Sequence, residues 1–221
     1  MQHRCRRSSA KPERVDICHY DWPDAGPEND HAHRPSVSAS TSYADNGLTV
    51  RFRVDDDFVT CARTAFNDQV CEDSCCEFFV SPGALSHASS DYWNFEINAA
   101  GTMLCYHCFP GSGERRPLSR DDAACMLVES SLHPTRATAA DAGVAIAPGD
   151  AATSYDLEFT VPWDVFGGED SPAPAAGTVW SCNFYKCGDR TKHPHWGCWA
   201  PVGSRRPNFH RPEDFQQLIF S

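Results

Sequence analysis

The feature that most constrains this chain is a succession of short stretches in which apolar and polar residues alternate, separated by turn formers. The clearest runs from Leu48 to Val54, where Leu48, Val50, Phe52 and Val54 alternate with Thr49, Arg51 and Arg53. A period of two puts the two sets on opposite faces of a strand and predicts one buried face. The β-prone run "SVSASTSY" precedes it, and Asp45-Asn46-Gly47 between the two predicts a hairpin, with Asn-Gly favouring a type I′ turn. Residues 75–80, 92–101, 102–109, 154–162, 178–187 and 215–220 read as further strands. Helical pattern is scarce. "SRDDAACMLVES" predicts one short helix, with Ser119 as N-cap and Asp121 and Asp122 at its positive end. "PWDVFGG" predicts a single turn stopped by glycine. The expected fold is all-β: an antiparallel β-sandwich of two packed, jelly-roll-like sheets with one or two short helices. Residues 1–34 are polar and turn-rich, and read as an irregular N-terminal segment packing on a domain spanning 35–221, with one short strand near Ile17.

Charge narrows the function classes. The formal net charge of −11 disfavours a nucleic-acid partner, because phosphate binding needs clustered Lys and Arg and here they are scattered. No apolar run approaches the roughly 20 residues of a membrane span. The start "MQHRCRRSSAKPERVD" has basic residues but no apolar stretch, so no signal peptide is expected. A cytoplasmic location follows, with secretion expected only if the N-terminus is incomplete. In that compartment the 12 cysteines are expected to be reduced, acting mostly as small buried hydrophobes.

Several clusters suggest chemistry. Cys105-x-x-Cys108, with Cys187, His193, His195 and Cys198, has the residue types of a zinc site. However, Cys105 and Cys108 fall in an alternating segment and should face opposite ways, so zinc is not expected. Cys187 or Cys198 with a neighbouring His could make a nucleophile pair, although close sequence neighbours seldom do. Asp55-Asp56-Asp57 suits either calcium or a solvated strand end. Glu77 and Glu96, on separate predicted strands, could be paired carboxylates of a glycosidase or polar groups on a sheet face. The loop "TKHPHWGCWAP" carries Trp196 and Trp199 among turn formers and polar residues, which suits an aromatic platform for a sugar ring.

Four segments in order, "VCEDSCCEFFVSP", "YWNFEINAAGTML", "NFYKCGDRTKHPHWGCWAPV" and "NFHRPEDFQQLIF", resemble successive signatures of the family 9 carbohydrate-binding module-like domains. The resemblance spans roughly residues 35–221. It implies a sandwich that binds a saccharide or glycan chain end without catalysis, associated with carbohydrate catabolism and with carbohydrate-active enzymes as possible partners. It also implies a sugar clamped between two tryptophans, with calcium as structural support and no other cofactor. Carried over by motif, Glu77 takes the acidic position of its segment, and Glu96 and Asn98 lie on a strand facing the ligand. Trp199 matches the second clamp tryptophan, with Trp196 and Lys186 alongside. The first clamp aromatic is missing unless Trp93 or Trp196 replaces it, because Val70 and Cys71 stand at its position. The alternatives are a glycoside-acting enzyme using Glu77 and Glu96, and a sandwich that has become structural.

Overall fold

A computed structural model describes residues 1–27, 29, 32–83, 87–141, 143–149, 152–168 and 172–221. The described residues fold into two large curled sheets packed as a sandwich and one separate two-stranded pair, with 46% of residues in strands and 7% in helices, so the all-β expectation holds. In chain order the strands are β1 (Gln2–Arg7), β2 (Arg14–Ile17), β3 (Ser36–Ala44), β4 (Gly47–Asp56), β5 (Val59–Cys61), β6 (Cys75–Ser81), β7 (Tyr92–Asn98) and β8 (Met103–Phe109). They continue with β9 (Glu114–Pro117), β10 (Leu127–Ser130), β11 (His133–Thr138), β12 (Ile146–Gly149), β13 (Thr153–Val161), β14 (Val179–Cys187), β15 (Trp196–Cys198) and β16 (Gln216–Phe220). The helices are α1 (Arg120–Ala124) and α2 (Asp164–Gly167).

The first sheet runs β9-β8-β7-β6-β14-β16, and β15 also pairs with β14. The second runs β11-β10-β13-β4-β3, with β2 added on β3. β1 joins them. Its residues Gln2–Cys5 run parallel to β16, and Arg6 and Arg7 run parallel to β3. The first residues are therefore part of the sandwich rather than an irregular segment laid on it. The sequence hides this because only His3 and Cys5 of β1 turn inward, among arginines.

Local signals mostly read true. Ser119 Oγ accepts the Asp122 N–H and caps α1, while Gly168 ends α2 at φ 85°. The β3–β4 hairpin forms, but its register pairs Ala44 with Gly47, leaving Asp45 and Asn46 at the tip. Neither of these has positive φ, so the turn is not type I′. Gly47 instead allows close packing: a Cβ there would lie 2.4 Å from the Val161 carbonyl oxygen.

Between the sheets, Val50, Phe52 and Val54 of β4 and Leu157 and Phe159 of β13 meet Phe78, Phe95, Ile97 and Phe184 of the first sheet. A second apolar cluster covers the outer face of that sheet and includes Phe79, Tyr92, Leu104 and Tyr185, with Trp22, Phe209 and Phe215 packed over them. The first sheet is thus buried on both faces. This is why every residue of β6 and β7 is buried, the polar Glu77, Asn94, Glu96 and Asn98 included.

Candidate functional site

Strand alternation sorts the candidate residues by face. On β6, Cys75, Glu77 and Phe79 point outward, while Cys76, Phe78 and Val80 point into the core. Glu77 pairs directly with Glu96 across the β6–β7 ladder. Both carboxyl groups reach a pocket of about 190 Å³ that the C-terminal segment overhangs. Its wall is completed by Cys71, Asp189, Trp196, Pro207, Asn208, Phe209 and His210. Trp196 stands half-buried there, its indole N–H donating to Asp189 Oδ1 at 2.7 Å. His210 is fixed by Tyr92, with the hydroxyl 2.7 Å from Nδ1. Phe209 stacks on Tyr185 at 4.1 Å.

Burial and mutual repulsion set the protonation of the pocket floor. Desolvation, then the charge of Glu96, pushes the Glu77 carboxyl well above the ordinary range. Burial lifts Glu96 to about 7, against the hydrogen bond from Asn94 Nδ2 at 2.7 Å. Two cross-strand carboxyls in so dry a place hold a proton near neutral pH. The floor then presents both a donor and an acceptor, which matches a hydroxyl group's own dual capacity.

This protonation predicts a pH effect. Glu96 binds its proton more tightly folded than unfolded, where its value is near 4.5. Its contribution to stability is therefore fully present below about pH 4.5 and is lost as pH rises through about 7. Glu96→Gln has no proton to lose. Between pH 5 and pH 8 it should gain about 3 kcal/mol on the parent. Thermal melts of both chelator-treated proteins across that range check this, and parallel profiles would refute it.

The structure separates other candidates from the pocket. Trp199 is 6% exposed and lies in the core between the sheets, edge-on to Phe184 at 5.7 Å. The expected platform is therefore a core side chain. In β15, Trp196 and Cys198 face outward and Gly197 inward against Tyr20, and Trp199 follows on the inner side. Asn98 shares the face of Glu96, but its side chain closes the turn after β7. It donates to the Arg63 carbonyl and Asp73 and accepts from the Ala100 and Thr102 N–H groups. Lys186 points the other way, into the sandwich. Its ammonium lies 3.4 Å from Asp56, donates to the Cys187 carbonyl and sits 3.0 Å from His195 Nε2. Burial opposes that charge, but Asp56 outweighs it and raises the Lys186 pKa.

Asp56 is thus neither a solvated strand end nor a fit for calcium. An ammonium and the His33 imidazole, 3.0 Å away, already hold its two oxygens, and imidazoles are not ligands calcium favours. Cys105 and Cys108 fall in the inner and outer clusters respectively, so they do not converge. The sequence reading missed Asp189, Asn208 and His210. The last two stand in the quoted segment "NFHRPEDF", and Asp189 in "KCGDRT", but no spacing marks them as sharing a pocket.

The family model described as carbohydrate-binding family 9 matches residues 10–220, and the chain belongs to that family. Among solved structures, a candidate carbohydrate-binding protein from Bacteroides uniformis is similar with a TM-score of 0.79 and 25% identity. That match covers 100% of this chain and 97% of the other. A family 9 carbohydrate-binding module from Caldicellulosiruptor kristjanssonii shares the fold in two complexes. The glucose complex has a TM-score of 0.53 and 14% identity, over 99% of this chain and 95% of that one. The cellotriose complex has a TM-score of 0.53 and 13% identity, over 100% and 93%. No curated protein sequence matches the chain.

Proposed function

We propose that this chain is a non-catalytic saccharide-binding domain whose site is the pocket beside Trp196. The supporting observation is the join of an indole, fixed through its own N–H to Asp189, with a floor of two protonatable carboxyls. A sugar ring offers C–H bonds on one face and hydroxyls around its rim, and the pocket supplies both kinds of partner. At about 190 Å³ it is smaller than the roughly 300–1,000 Å³ of sites for drug-sized ligands, which suits a single ring or a glycan chain end. The complexes of the Caldicellulosiruptor module with glucose and cellotriose support the ligand class. In this role the domain would hold glycans for carbohydrate-degrading enzymes acting alongside it. A glycosidase needs its carboxyls on opposite sides of the scissile bond. Glu77 and Glu96 instead rise side by side from adjacent strands of the floor, an arrangement for holding hydroxyls.

Cys71 lines the pocket at the position of the missing first clamp aromatic, so one stacking face carries the apolar contact. Covering about 60–80 Å² at roughly 25 cal/mol per Å² yields on the order of 1.5–2 kcal/mol. Each hydrogen bond adds about 0.5–1.5 kcal/mol net. Dissociation constants nearer 1 mM than 1 μM are expected. Trp196→Ala should weaken binding of glucose or cello-oligosaccharides about tenfold or more, with little change in thermal midpoint. Calorimetric titration checks this. An unchanged affinity in that variant would exclude the pocket as the site, and release of reducing ends by the parent would exclude the non-catalytic reading.

A further inference from the structure

We propose that Cys75, Glu77 and Cys187 form a binding site for a thiophilic divalent cation of the zinc and cadmium class. The β6–β14 register sets Cys75 directly opposite Cys187, and Glu77 follows two residues along the same face of β6. The two sulfurs and a carboxylate oxygen lie within 4.8 Å of one another. Cys187 Sγ is already 3.0 Å from Glu77 Oε1. All three are buried, and Glu77 opens onto the pocket, which gives a cation its way in.

The donor set selects the ion. Thiolate suits zinc and its heavier relatives and is a poor ligand for calcium or magnesium. Metal–sulfur bonds of about 2.3 Å and metal–oxygen bonds of about 2.0–2.2 Å place tetrahedral donors roughly 3.4–3.8 Å apart. The trio therefore reaches that geometry by side-chain rotation, with no change of strand register. Three protein ligands leave a fourth position, and the pocket is the side from which water or another oxygen ligand can fill it. Binding exchanges protons for the metal. Each thiol gives up its S–H proton as its sulfur bonds the cation, and any proton on Glu77 leaves with them, all passing to buffer. No oxidant is involved. The sequence reading expects no zinc, Cys187 included, because Cys105 and Cys108 face opposite ways. It does not weigh Cys75 and Glu77, which strand pairing brings to Cys187 from more than a hundred positions away.

The site is tested by titrating the full chain with cadmium chloride after chelation and reduction with a phosphine. Cys18→Ser and Cys125→Ser are present throughout to remove the two exposed thiols. The expected result is an ultraviolet thiolate-to-cadmium band that saturates at one equivalent with release of at least two protons. Cys75→Ser and Cys187→Ser should each lose half or more of that band, while Cys105→Ser, a buried thiol of the other core, keeps it. Should a serine variant fail to fold, Glu77→Gln retains both thiols and should weaken cadmium binding at least tenfold. A parent without a saturable band overturns the proposal, as does a band unchanged in folded Cys75→Ser and Cys187→Ser, or an affinity unchanged in Glu77→Gln. Sugar affinity of the metal-free protein is a separate measurement, so either inference can fail alone.

Discussion

Asp56→Ala should cost about 3–5 kcal/mol of stability, because it leaves the Lys186 ammonium charged and without its counter-ion inside the sandwich. Both side chains are fully buried. Their attraction holds Asp56 well below the ordinary carboxylate range despite the burial that opposes it. His195 offers no substitute, since burial and the neighbouring ammonium keep it neutral. It can accept a hydrogen bond from Lys186 but cannot balance the charge. Removing both partners tells the penalty of an orphaned charge from the loss of an attraction. Asp56→Ala combined with Lys186→Met should recover at least half the loss, since an apolar pair leaves no charge to desolvate. Urea unfolding at pH 7 gives both numbers. A single variant within about 1 kcal/mol of the parent would mean that water reaches the pair.

Trp199→Ala should destabilise by about 3–5 kcal/mol, the cost of deleting a large aromatic from a packed core. The indole touches Phe184 and His3 edge-on, and its backbone N–H donates to the Phe184 carbonyl at 2.9 Å. For a chain of 221 residues, each kcal/mol lowers the melting temperature by roughly 2–4 °C, so a fall of about 6–20 °C is expected. Trp196→Ala should do the reverse, sparing the melt and weakening the ligand. A Trp199→Ala protein that melts like the parent would put the side chain at the surface, against the packing described here.

These two variants also show what the sequence makes legible. Alternation located most strands, and the four family signatures hold every residue lining the proposed pocket except Pro207. What failed was parity. Residues three apart on a strand face opposite ways, which correctly separates Cys105 from Cys108. The same rule separates Trp196 from Trp199, but the surrounding "HPHWGCWAP" reads as loop, and the motif favoured the second tryptophan. β15 is only three residues long, and its Gly197, pressed against Tyr20, is the sole inward position that could have shown the register. Lys186 misleads for a related reason. A lysine among alternating residues suggests the wet face, and the distant Asp56 and His195 make the dry one tolerable. The thiol trio was invisible because no local spacing encodes a register between strands.

The double pairing of β1 has a consequence for biosynthesis. Residues 2–5 are synthesised about 215 residues ahead of their partners on β16, residues 217–220. Loop closure over such a separation is entropically costly and slow. Until β16 is made, Gln2–Cys5 must wait without that partner, as a potential template for aggregation. Arg4, Arg6 and Arg7 suit that interval, since charge on an unpaired strand discourages a wrong neighbour from adding to it. The same arginines that disguise β1 as part of an irregular segment would keep it soluble until its partner arrives.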